Sequence, residues 1–145
     1  MSPIKRLIVA FALALSTTPL PLQAAGDDGS MMGVHRGTSG DVSYLTGGIG
    51  LGEREYMSSL AGDYDLKLEL VARNGEYLSD VDVTITDARG NKVLESSADG
   101  PWFFARLAPG KYKVAATSGN QTFGKWVTVS GQHMARVVLN GWLPD

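Results

Sequence analysis

The stretch D-G-P-W-F-F-A-R-L-A-P-G-K-Y-K-V-A-A, residues 99–116, decides how the rest of the chain is read. Trp102 to Leu107 is dense in aromatic and apolar side chains, which suit a pleated, half-buried surface. Pro109-Gly110 supplies a turn, because proline fixes φ at about −65° and glycine tolerates positive φ. Beyond it Tyr112, Val114 and Ala116 alternate with Lys111, Lys113 and Ala115, the period of a strand with one buried face. The pattern predicts strand, tight turn, strand. Strict alternation in the first strand buries either Trp102, Phe104 and Arg106 or Phe103, Ala105 and Leu107. Burying Trp102, Phe104 and Leu107 together requires a bulge near Ala105-Arg106. The bulged register is expected, with Phe103 on the other face or under a docked N-terminal segment.

Outward from this stretch the period of two continues. Leu66, Leu68, Leu70 and Ala72 alternate with Lys67, Glu69, Val71 and Arg73, and Val81, Val83 and Ile85 alternate with Asp82, Thr84 and Thr86. Asn74-Gly75, Asp87 to Asn91, Asp99-Gly100-Pro101, Ser118-Gly119-Asn120 and Ser130-Gly131-Gln132 punctuate the run as turns. Further strands are expected around Lys92 to Ser96, Gln121 to Val129 and His133 to Asn140. Seven short strands with turn signals between them predict an all-β, seven-stranded antiparallel β-sandwich over residues 64–140.

The segment before residue 64 has a different character. Lys5 and Arg6 precede the apolar run Leu7 to Leu15, too short to span a bilayer, and small residues follow at Ala24-Ala25. Residues 1–24 therefore read as a cleavable secretory signal of bacterial style, which places the protein in the periplasm or outside the cell. No cysteine stands at the junction, which argues against a lipoprotein, and no later apolar run is long enough for a membrane helix. Residues 25–63 read as a Gly-rich linker containing one short helix, 53–61. Glu53 and Glu55 favour its N-terminus, Gly62 offers a cap, and Tyr56, Met57 and Leu60 form an apolar face. So short a helix must dock on the sandwich to persist. Residues 141–145 read as a tail.

Composition sets limits on function. The chain has 145 residues, 43% of them hydrophobic and 19% charged, as in ordinary globular proteins. A net charge of −2 gives no electrostatic reason to expect nucleic acid as a partner. The absence of cysteine removes disulfides, thiolate nucleophiles and cysteine metal sites.

With the strands in place, residues 81–94 (V-D-V-T-I-T-D-A-R-G-N-K-V-L) and 98–116 resemble the carboxypeptidase regulatory-like domain. Asp99-Gly100, Trp102, Phe104, Leu107, Pro109-Gly110, Tyr112 and Val114 fall in register with that family's pattern. The resemblance covers residues 64 to 140 and implies a transthyretin-like, prealbumin-like or immunoglobulin-like Greek-key sandwich. The glycine-rich segment and short helix ahead of it look like those of small secreted proteobacterial proteins carrying this domain alone. Members act mostly as accessory or adhesion-like modules, so the resemblance implies a non-catalytic role.

Candidate sites are few. The related transthyretin-like 5-hydroxyisourate hydrolases imply histidines, an arginine and a Tyr-Arg-Gly-Ser motif; residues 140–145 (N-G-W-L-P-D) lack that motif, and the histidines are His35 and His133. His133 has no nucleophile and orienting acid paired with it in the sequence. Met31, Met32 and His35 carry soft ligand atoms that suit copper, but such residues also occur in mobile tails. Gly47 to Gly52 superficially resembles a phosphate-binding loop, without the strand before it or the Lys-Ser/Thr after it; a hinge explains it better. Asp80, Asp82 and Asp87 lack a calcium-loop spacing. No catalytic residue, metal or cofactor is assigned. Aromatics remain the best leads. Phe103 and Trp126 are the candidate ligand- or partner-binding residues, although burial of Trp126 under the N-terminal segment is the simpler expectation. The expected function is a secreted or periplasmic module that binds an envelope protein or glycan. A carbohydrate-binding module, a 5-hydroxyisourate hydrolase and an assembly partner that pairs through an edge strand are the alternatives.

Overall fold

The computed structural model describes residues 33–142. Two sheets face each other across an apolar core. The first contains β1 (His35–Ser39), β2 (Val42–Gly47), β3 (Leu66–Ala72), β6 (Trp102–Ala105) and β9 (Ala135–Trp142), in the spatial order β1-β2-β6-β3-β9. The second contains β4 (Val81–Asp87), β5 (Lys92–Ala98), β7 (Gly110–Ser118) and β8 (Gln121–Val129), in the order β5-β4-β7-β8. The protein is an all-β sandwich with one short helix, α1 (Leu51–Leu60).

The core follows the alternations in the sequence. Leu66, Leu68 and Leu70 of β3 meet Val81, Val83 and Ile85 of β4 and Val114 and Ala116 of β7, all fully buried. At 25 cal/mol per Å² of apolar surface removed from water, such a core supplies the main force holding the two sheets together.

Several details differ from the sequence reading. Nine strands occur among the described residues, not seven, because residues 35–47 form a hairpin where a linker was expected. Its turn is Gly40-Asp41, with Gly40 at φ 57°. Glycine and short polar residues carry little strand propensity, so tertiary pairing decides the conformation here: β2 lies along β6 from Tyr44 to Gly47. The sandwich is not wholly antiparallel either, since β3 and β9 pair in parallel. The helix starts two residues earlier than expected and runs into a 3₁₀ turn, Ala61–Asp63, so Gly62 does not end it as a left-handed cap.

The 99–116 stretch is a crossover, not a hairpin. β6 belongs to the first sheet and β7 to the second. The Asp65 carboxylate accepts from the Leu107 N–H at 2.9 Å, and the Tyr112 hydroxyl donates to the Ala108 carbonyl at 2.6 Å, fixing the connection at both ends. Burial pushes the Tyr112 phenol above its usual pKa. Gly100 has a separate reason for being glycine: a Cβ there would collide with the Gly47 carbonyl group.

The register within β6 is also reversed from the bulged expectation. Phe103, Ala105 and Leu107 point into the sandwich, with Phe103 stacked on Tyr44 at 5.2 Å between centroids. Phe104 faces outward yet is 1% exposed, because Met57 of α1 and its cross-strand neighbour Leu45 of β2 pack with it. Trp102 packs against the same cluster. Both faces of β6 are therefore covered, and no bulge is needed. Trp142, expected in a tail, is a core residue at 1% exposure, its ring edge-on to Phe123 and its Nε1 donating to the Gln121 carbonyl.

Candidate functional site

The two sheets differ in what lies on their outer faces. On the first sheet, α1 packs over β2 and β6. Beside it, Lys67 lies over Trp102 and pairs with Glu69 at 3.3 Å. Desolvation holds the Lys67 ammonium below its usual pKa, opposed by Glu69 and reinforced by Arg136 and Arg54.

On the second sheet the outward positions are polar or small. Strand alternation forces this: Tyr112, Val114 and Ala116 turn inward, so Lys111, Lys113, Ala115 and Thr117 turn out. Across β8 the same rule turns Thr122, Gly124, Trp126 and Thr128 outward. Trp126 is 54% exposed. Lys113 is its direct cross-strand partner, and the Lys111 Nζ lies 5.1 Å from the centre of its ring. An indole ring with the Lys111 ammonium over it and Lys113 at the neighbouring cross-strand position, beside the small residues Ala115 and Gly124, forms an exposed aromatic and cationic patch. Threonines extend it: Thr84 stands opposite Ala115, and Thr117 and Thr122 share a 2.8 Å hydrogen bond.

The two candidate aromatics are not brought together. Trp126 is on this outer face at 54% exposure, and the described part of the N-terminal segment, residues 33–63, packs with the other sheet. Phe103 is 0% exposed inside the sandwich and offers no surface to a ligand. The alternation that turns Trp126 outward is legible in the sequence, whereas the sharing of its face by Lys111 and Lys113 follows only from the pairing of β7 with β8.

The remaining candidates have structural surroundings. His35 Nε2 lies 3.8 Å from the Asp99 carboxylate, both side chains about half exposed. His133 is exposed beside a small cleft of about 130 Å³ shared with Tyr64 and Asp65. Asp87 Oδ1 accepts from the Arg89 and Asn91 N–H groups and Oδ2 from the Asn91 amide, bonds that hold its carboxyl below the usual range, the Asn91 N–H foremost. Asp82 accepts from Ser97 at 2.9 Å, and Asp80 occupies a left-handed turn position at φ 57°. Among the described residues no three His, Cys, Asp or Glu side chains gather where a metal ion could sit. Met31 and Met32, like the secretory signal, lie outside the described residues. No helix among the described residues is long and apolar enough to cross a membrane.

The N–H groups of the glycine run at 47–50 are taken up by a carboxylate of the chain itself. The Glu53 carboxylate accepts from the N–H groups of Gly48 at 3.0 Å and Ile49 at 2.7 Å.

No protein of curated function matches the chain. The family model of the Rhizobiales growth-associated tandem repeat domain matches residues 65–140, more than half of the chain. That interval takes in β3 through most of β9 and leaves the β1–β2 hairpin and α1 outside it. The chain belongs to the Rhizobiales growth-associated tandem repeat domain family.

Proposed function

We propose that the protein is a non-catalytic module of the cell envelope, secreted or periplasmic, that works by binding an envelope partner through the outer face of its second sheet. The observation that carries this is Trp126, 54% exposed on an open polar face and flanked by Lys111 and Lys113. The secretory character of residues 1–24 supports an envelope setting. The resemblance of residues 81–116 to the carboxypeptidase regulatory-like domain, whose members act mostly as accessory modules, implies the same role.

Faces are better placed for this than edges. Lys125 Nζ donates to the Val138 carbonyl on β9 at 2.7 Å, and the Glu95 N–H on β5 donates to Ser39 Oγ at 3.0 Å. One backbone group on each of the edge strands β9 and β5 is thus engaged within the sandwich, which makes those two edges less open to an added strand.

Among envelope partners, a glycan is favoured by the two lysines at the Trp126 ring. A sugar stacks on an indole face, and ammonium groups beside it accept hydrogen bonds from nothing but donate to hydroxyl and acidic oxygens. The test is affinity capture from envelope extract with the chain and its Trp126→Ala variant, followed by protein and glycan analysis of what is retained. A glycan lost with the variant supports the platform reading, and a protein lost with it keeps the face but changes the partner. Retention unaffected by the variant overturns the assignment to this face, and nothing retained overturns the binding role.

A further inference from the structure

A cleft of about 250 Å³ opens at one end of the second sheet. It lies between the turn that follows β4, with Asp87 and Arg89, and the start of β7, with Pro109, Lys111 and Tyr112. Lys111 belongs to two places at once: it lines the cleft, and its Nζ lies 5.1 Å from the centre of the Trp126 ring. Lys113, the cross-strand partner of Trp126, stands two residues further along the same outward face of β7. The cleft and the aromatic patch are therefore one continuous surface.

The carboxylate of this cleft is already in use. Asp87 Oδ1 accepts from the Arg89 and Asn91 N–H groups at 2.9 Å each, and Oδ2 accepts from the Asn91 amide at 3.3 Å. These bonds fix the turn that carries Arg89 and hold the carboxylate against the backbone. Of the groups that lower the Asp87 pKa, the Asn91 N–H acts most strongly and the Arg89 charge least. The ion pairs among the described residues join His35 to Asp99, Lys67 to Glu69 and Lys92 to Glu95, and none takes in Arg89, Lys111 or Lys113. All three cations are exposed.

Pockets for drug-sized ligands begin at about 300 Å³, so this cleft has room for one sugar-sized unit and not for a whole oligomer. A guanidinium fork and an ammonium group suit the carboxylate of such a unit. A lone anion would use the cations and leave the adjoining indole ring without a partner. We infer that the cleft takes an acid-bearing unit of the same sugar chain that contacts Trp126, its carboxylate held by Arg89 and Lys111. The surface then recognises an acidic polysaccharide over more than one unit. This inference rests on the reading of Trp126 as a glycan-binding ring.

The experiment titrates the purified chain with a galacturonic acid trimer, its methyl ester and inorganic phosphate, read by NMR and calorimetry. The ester keeps the shape of the acid and removes its charge. The acid should bind about fivefold more tightly than the ester or better, an advantage that shrinks as salt is added. Arg89→Gln and Lys111→Gln should each weaken the acid by about two- to fivefold, the scale of an exposed ion pair. Arg89→Gln should leave the ester unchanged, whereas Trp126→Ala should weaken acid and ester alike. Arg136→Gln, on the first sheet, controls for net charge, and thermal melts establish that each variant is folded. Equal binding of acid and ester, with Trp126→Ala weakening both, would overturn the cleft and leave the Trp126 reading standing. Binding unaffected by Trp126→Ala would overturn the Trp126 reading and the joint site with it. Phosphate bound as tightly as the acid trimer, equal weakening by Arg136→Gln, or no binding of the acid at millimolar concentration would each overturn the cleft assignment. If a variant fails to fold, the comparison of acid, ester and phosphate on the unmodified chain still decides it.

Discussion

Lys67 and Trp102, on adjacent strands of the first sheet, are stacked with the ammonium 3.4 Å from the ring centre. The lysine side chain is 6% exposed, and its partner Glu69 is 28% exposed. Burying a cation is unfavourable even beside an aromatic face and a carboxylate, and this is why its pKa falls. The groups facing it are Glu69, which favours the charge, and Arg136 and Arg54, which oppose it.

The sign of the pH effect follows. Between the depressed folded pKa and the unfolded value of 10.5, the unfolded chain holds a proton that the folded chain has released. Folding stability due to Lys67 therefore rises with pH across that window. Lys67→Met keeps the stem and its contact with Trp102 but removes this titration. Urea unfolding at neutral and alkaline pH should show wild type gaining on Lys67→Met as pH increases. At neutral pH the variant should be as stable as wild type or more so. A wild type that loses ground with rising pH would mean that the charge itself stabilises the fold.

Phe103 and Trp126 should behave oppositely when truncated. Phe103→Ala removes a fully buried ring that stacks on Tyr44, and such truncations cost about 3–5 kcal/mol. Trp126→Ala removes a ring from an open face, where substitutions usually stay within about 0.5 kcal/mol. Denaturant midpoints of the two single variants check this. A large loss of stability from Trp126→Ala would show that the ring is structural, and would disqualify that variant as a probe of binding.

The contrast between these residues shows what a period of two can reveal. In β4 one face is buried and the other wet, so V-D-V-T-I-T-D declares its register outright. In β6 both faces are covered, one by the second sheet and one by α1, so W-F-F-A carries no alternation to read. The β1–β2 hairpin was hidden for a different reason. Its strands hold glycine, serine and threonine, and Gly37 is there because the Tyr44 ring lies where its Cβ would be. Composition marks such a segment as linker, and only pairing with β6 makes it sheet.

The docking of the hairpin and helix rests in part on Glu53. Its Oε2 accepts from the Gly48 and Ile49 N–H groups, which would otherwise face the start of α1 without an acceptor. Arg54, the next residue, donates from Nε to the Gly48 carbonyl at 2.8 Å, so the loop is clasped from both its polar sides. Leaving donors unmatched costs about 1–3 kcal/mol where they are shielded from water. Only the Gly48 donor is partly shielded from water, so Glu53→Ala should lower stability by about 1 kcal/mol, the scale of a lost helix cap, and Glu53→Gln, which keeps one acceptor oxygen, by less. The loss should be local. Hydrogen exchange at Gly48, Ile49 and the first turn of α1 should accelerate, while the β4 and β7 amides keep their protection, because the sandwich core does not pass through this loop. Uniform acceleration across both sheets would mean instead that the helix and hairpin fold as one cooperative unit with the sandwich.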